Sequence, residues 1–154
     1  MHRICKVSYI ISKELADEKI KGGWLRVWAG FTALAVSEEV TKSALNELID
    51  KLDKDPRVKI YMKDFGTLER REKPLKGIDV GYAGTAEVEF AVKDFETLIQ
   101  VVIEYGPSAV EMLEPTRLNI SAGEAQNVIN TVAQMMHLFA EAGLGGMIFV
   151  RGNK

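Results

Sequence analysis

Four carboxylates, Glu87, Glu89, Glu111 and Glu114, lie in two short segments that strand pairing can gather on one sheet face. Brought together, Glu87, Glu89 and Glu111 would offer oxygen ligands to a divalent metal, or two of them an acid and base pair. A structural reading competes and is preferred. If residues 57–65 and 85–92 pair antiparallel, exposed Glu87 and Glu89 lie across from exposed Lys59 and Lys63. Cross-strand pairs of opposite charge contribute only about 0.2–1 kcal/mol each. The same pairing explains an uneven charge distribution, since residues 54–77 hold eight basic and four acidic side chains and residues 78–115 hold one basic and eight acidic.

RNA binding is the second chemistry to weigh. VGYAGTAEVEF at 80–90 begins like the RNP1 motif of an RRM, but Val80 stands where Lys or Arg is needed and Gly84-Thr85-Ala86 replaces the aromatic core. Phe90 is in phase with Val88 and Val92 and so faces the core, while Glu87 and Glu89 would repel phosphate. No nucleic-acid partner is expected.

The remaining reactive residues are sparse. His2 and His137 are the only histidines and Cys5 the only cysteine, too few for a His/Cys zinc site and no basis for a Ser-His-Asp order. His137 reads as the flank of an apolar helical stripe, and Cys5 as a small hydrophobe in an N-terminal strand. The glycine clusters KGGW at 21–24 and GLGG at 143–146 end helices; neither sits in a strand-to-helix phosphate turn. Tyr105 and Ser108, in YGPS, could contact a ligand at a sheet end, although a helix-stop turn already accounts for Gly106 and Pro107. No cofactor is expected.

These residues must be positioned by a fold that 154 residues, 47% hydrophobic and 27% charged, can build as one domain with its own core. A lone cysteine, a start without a signal-peptide pattern and no apolar run of the roughly 20 residues a membrane span needs make the cytoplasm the expected compartment. Residues 3–11 are rich in β-branched side chains and predict a strand, with a helix capped by Ser12 running to Gly22-Gly23. A strand is predicted over 30–36. Ser37, Glu38 and Glu39 start a helix whose apolar positions are Val40, Ala44, Leu45, Leu48, Ile49 and Leu52. Period-two alternation marks strands at 57–65 and 85–92, separated by a long connection over 66–84. Asp94 caps a helix closed by Gly106-Pro107, Ala109–Leu113 is a short strand, and Ser121 with Glu124 forms a capping box for a helix reaching Gly143. MIFV at 147–150 predicts one more strand.

From residue 30 to 115 the order is β-α-β-β-α-β, which predicts an α+β, ferredoxin-like antiparallel sheet with an N-terminal extension and a long C-terminal helix at 121–143. Residues 86–140, with AEVEFAV, EYGPSAVEMLEP and the capped helix that follows, resemble the C-terminal extension of bacterial WYL-domain transcriptional regulators. The resemblance implies an interaction or effector-sensing module and carries no catalytic residues. The expected function is therefore a non-catalytic ligand-binding or regulatory module that works as a homo-oligomer with a small-molecule effector. The alternatives are a metal-dependent enzyme using the sheet carboxylates and an RRM-like RNA-binding module.

Overall fold

Along Leu25–Phe31 alternate side chains are sealed from solvent: Leu25, Val27, Ala29 and Phe31 are buried, while Arg26 and Trp28 between them are half-buried. That period of two belongs to a strand with two unlike faces, and the architecture is built on it. The computed structural model describes the backbone of residues 2–143 and the side chains of residues 12–143. Its elements are α1 (His2–Lys21), β1 (Leu25–Ala35), α2 (Glu38–Asp53), β2 (Val58–Phe65), β3 (Glu69–Leu75), β4 (Ile78–Val92), α3 (Phe95–Tyr105), β5 (Ala109–Glu114) and α4 (Ala122–Glu141). Two compact units result, Met1–Leu118 and Asn119–Lys154.

In the first unit the five strands form one antiparallel sheet of order β2-β4-β1-β5, with β3 also paired to β4. The connection β1-α2-β2 passes over β4, and β4-α3-β5 passes over β1. Both helices lie on one sheet face, where Leu45, Ile49 and Leu52 of α2 and Leu98, Val101 and Tyr105 of α3 pack on Val27, Phe31, Val88, Phe90 and Val92. On the other face Ala16 of α1 packs with Tyr61 and Ala91.

The predicted helix ends are present. Ser37 Oγ accepts from the Val40 N–H at 3.3 Å, and Asp94 Oδ1 from the Thr97 N–H at 2.8 Å. Gly106 takes φ 59°, where its N–H reaches the Val102 carbonyl at 2.9 Å and a side chain would be strained. The buried line of α2 is Thr41, Leu45, Ile49 and Leu52, whereas Val40 is half exposed. Thr41 takes the inward position because its hydroxyl lies 2.8 Å from the Tyr82 carbonyl and 3.0 Å from the Ser37 carbonyl, its one proton shared between them, tying α2 to β4.

Four expectations are corrected. Residues 3–11 are not a strand; they belong to α1, one continuous helix that ends at Gly23, φ 97°. β-branched residues lower helix propensity only slightly, and the helical ladder overrides that preference. The strand predicted over 30–36 spans Leu25–Ala35, and so takes in Arg26 and Trp28. Residues 66–84 are not a long connection but β3, a turn at Lys76-Gly77 and the first half of β4. Gly77 does form the turn, at φ 87°, but Gly81 and Gly84 mark close approach of neighbouring side chains: a Cβ on Gly84 would stand 2.6 Å from Leu68 Cδ2 and 3.0 Å from Thr41 Cγ2. Gly84→Ala is expected to lower stability by about 1–3 kcal/mol through overpacking, measurable by urea unfolding.

The fourth correction concerns charge. The register sets Lys59 opposite Ala91 and Lys63 opposite Val88, so neither faces Glu87 or Glu89. A bulge between Ile60 and Met62 adds one residue to β2 and reverses its phase beyond that point. Tyr61 and Met62 consequently both pack on the α1 side, and Lys63 turns to Asp53 of α2 at 2.7 Å.

In the second unit α4 opens with the predicted capping box, Ser121 Oγ accepting from the Glu124 N–H at 3.1 Å and the Ser121 N–H donating to Glu124 at 2.7 Å. It ends at Gly143, φ 77°, and none of its residues is buried. The strand predicted at 147–150 lies outside the described residues, as do the side chains of His2 and Cys5. No helix among the described residues is long and apolar enough to cross a membrane.

Candidate functional site

Two polar clusters flank the sheet. The first closes the end of the core where α2, β2 and α3 meet. Asp55, with a side chain only 6% exposed, accepts from the Arg57 N–H at 2.9 Å, from Arg57 Nε and Nη2, and from the Tyr105 hydroxyl at 2.8 Å. Arg57 also pairs with Glu104, which pairs with Lys51, whose ammonium lies 5.2 Å from the Tyr105 ring. The Arg57 hydrogen bonds hold the Asp55 carboxyl well below the usual carboxylate range, against the effect of burial. Burial first, then the Asp55 hydrogen bond and charge, push the Tyr105 phenol up to about 12. Every strong donor and acceptor in this group has a partner, so the cluster acts as a latch between elements.

The second cluster lies on the sheet face away from α2 and α3. Strand pairing sets Glu89 of β4 beside Trp28 of β1, and Trp28 beside Glu111 of β5. The Trp28 indole N–H donates to Glu87 at 3.3 Å. The tip of its ring lies over Gly30, where an added Cβ would stand 3.0 Å from Trp28 Cη2. One residue pair further along, Arg26 is held by Asp17 of α1 and Glu114 of β5, with its guanidinium 5.1 Å from the Tyr61 ring. Burial works to lower the Arg26 pKa, but the hydrogen bonds with Asp17 and Glu114 and the neighbouring Tyr61 hydroxyl raise it overall. Burial also pushes the Tyr61 phenol up to about 12.

The candidate residues are thus distributed unequally. Glu87, Glu89 and Glu111 share this face around Trp28, and Glu114 is engaged by Arg26. Among the described residues, no three His, Cys, Asp or Glu side chains are grouped to hold a metal ion. Tyr105 is buried in the Asp55 latch, whereas Ser108 sits exposed at the sheet edge, its Oγ 3.0 Å from the Gly30 carbonyl and 3.1 Å from Thr32 Oγ1. The two share no partner. His137 is exposed on α4 and pairs with Glu141 at 3.1 Å.

Reading the sequence missed Arg26, Trp28 and Asp55. For the first two the signal was available, since a charge inside an apolar strand calls for partners. For Asp55 it lay in the order Asp-Pro-Arg, in which the aspartate side chain caps the N–H two residues on.

The geometry defines an α+β protein with a helix-covered sheet face and a second face bearing a tryptophan among carboxylates. The model of the MJ0538 family matches residues 26–148, and the chain belongs to that family. The matched span runs from β1 through α4 and includes Arg26, Trp28, Tyr61 and Glu89. No curated protein and no solved structure matches the chain.

Proposed function

We propose that the protein is a non-catalytic regulatory module with a ferredoxin-like core, which assembles with a second copy of itself through α4. The strand order β2-β4-β1-β5 and the placing of α2 and α3 on one sheet face support the ferredoxin-like description. The observation that carries the association is the stripe on α4. Ala125, Val128, Val132, Met135 and Phe139 recur at alternating spacings of three and four, yet none is buried, and Val132 and Phe139 are 40% and 43% exposed.

A seam with that heptad period is complementary to another helix of the same period crossing at a shallow angle. A second α4 fits this requirement. The helix carries Glu124 and Glu141 but no Lys or Arg, and Gln126, Asn127, Asn130 and Gln134 supply neutral flanks, so two copies meet without strong like-charge repulsion. The WYL-like stretch at residues 86–140 points the same way, to an interaction or effector-sensing role. Nucleic acid is a poor partner, because Glu87, Glu89 and Glu111 repel phosphate.

Val132→Lys places a charge in the seam and is expected to weaken self-association by about a hundredfold or more, as loss of a central anchor does. Asn130→Lys, on the opposite side of the helix, should leave it unchanged. Sedimentation equilibrium of the two variants beside the parent is the check, and equal masses for all three would contradict the assignment to α4.

A further inference from the structure

The two outer edges of the sheet are built differently. Along the β2 and β3 edge several devices that stop strand addition are present. The β2 bulge disturbs its ladder, and Tyr61 of β2 packs on Ala16 of α1. β3 pairs Arg70 with Glu72 and Arg71 with Glu69, and continues into Lys73 at φ 48° and Pro74, which has no N–H to offer.

β5 is the opposite outer strand, paired with β1 on one side and with no strand on the other among the described residues. It contains no Pro, Lys or Arg, and its register shift falls after Met112, so residues 109–112 present a regular edge. Its start is fixed, since the Ser108 N–H and hydroxyl both donate to the Gly30 carbonyl, at 2.8 and 3.0 Å. Ala109, Val110 and Glu111 are all exposed. Alternate N–H and C=O groups of an outer strand point away from its neighbour and can pair with another chain.

The side chains decide what that chain is. Val110 and Met112 lie opposite Ala29 and Val27 on the buried face, and Val110 is 40% exposed, so a strand laid beside β5 meets an apolar rim there. Glu111 lies opposite Trp28 on the other face and, among the described residues, is in no ion pair. Opposite charges directly across a strand pair attract, and like charges repel. A second β5 is thus a poor occupant, because AVEMLE brings more carboxylates and no cation. A segment of alternating apolar and basic residues suits both faces.

We propose that the β5 edge binds an extended peptide of alternating apolar and basic residues, which joins the sheet as a further strand. Main-chain hydrogen bonds hold it, its apolar side chains cover Val110 and Met112, and a Lys or Arg stands across from Glu111. The site uses no residue of α4 and does not depend on self-association.

The test is fluorescence anisotropy of the full chain with a fluorescein-labelled, end-blocked peptide, Val-Lys-Val-Lys-Val. Saturable binding is expected, weakened about tenfold or more when every backbone nitrogen of the peptide is methylated, since the charge stays and the donors are lost. Glu111→Lys should weaken binding of this peptide about tenfold and raise affinity for Val-Glu-Val-Glu-Val, as attraction and repulsion exchange places. Because Glu111 is exposed, the variant should unfold at the same urea concentration as the parent, which separates a lost contact from a damaged fold. Absence of saturable binding, equal binding of the methylated peptide, or unchanged affinity in Glu111→Lys would each overturn the proposal. A protein mass that falls toward 17.1 kDa on adding peptide would give the edge to a second copy and overturn it too.

Discussion

Asp55→Ala is expected to lower the free energy of unfolding by about 2–4 kcal/mol. The carboxylate is buried and serves several donors, so its removal leaves the Tyr105 hydroxyl and the Arg57 N–H unpaired inside the α2, β2 and α3 junction. Arg57 is one-third exposed and can recover water, which keeps the effect below that of a fully enclosed pair. The latch also makes stability pH-dependent. Because the Asp55 carboxyl is held below its unfolded value of about 3.9, its contribution is complete above that pH and is lost as pH falls toward the depressed folded value. Urea unfolding at a series of pH values should therefore show the gap between the parent and Asp55→Asn shrinking as pH drops below about 4. A gap that stays constant down to acid unfolding would show that Asp55 is not ionised in the latch.

Phe90→Ala should cost about 3–5 kcal/mol. Phe90 is 1% exposed, sits on the central strand β4 between Val27 of β1 and Ile60 of β2, and faces the helices. Truncation opens a cavity where three strands converge, and the surrounding backbone, held in pairing on both sides, has little freedom to collapse. Phe65→Ala is the matched comparison: the side chain is 45% exposed near the end of β2 and should cost less than about 1 kcal/mol. Equal losses for the two variants by urea unfolding would mean that the core is centred elsewhere.

Local signals in the sequence located most of the elements. The caps at Ser37, Asp94 and Ser121 and the stop at Gly106 act within one helical turn, and each is present in the structure. Alternation placed Val88, Phe90 and Val92 in the core because a strand's period is a local property. Features set by distant neighbours were not legible. Gly81 and Gly84 read as loop punctuation, yet their missing side chains make room for Pro74 and Leu68 within β-structure. The bulge at Tyr61 left no mark in the alternation of residues 57–65, and one added residue was enough to carry Lys63 from the predicted Glu face to Asp53. For the same reason the acidic face was read as charge-balanced by lysines. Glu87, Glu89 and Glu111 do fall on one sheet face, but the place of Trp28 among them emerges only from pairing across three strands.

On α4 the reverse holds, since the stripe is written in spacing alone and the structure adds that none of it is buried. The assembly assigned to that stripe is tested most directly by the mass of the full chain in solution. Light scattering over a micromolar concentration range is expected to give twice the chain mass of 17.1 kDa, falling toward the single-chain value in Val132→Lys. A mass of 17.1 kDa for the parent protein across that range would contradict the account.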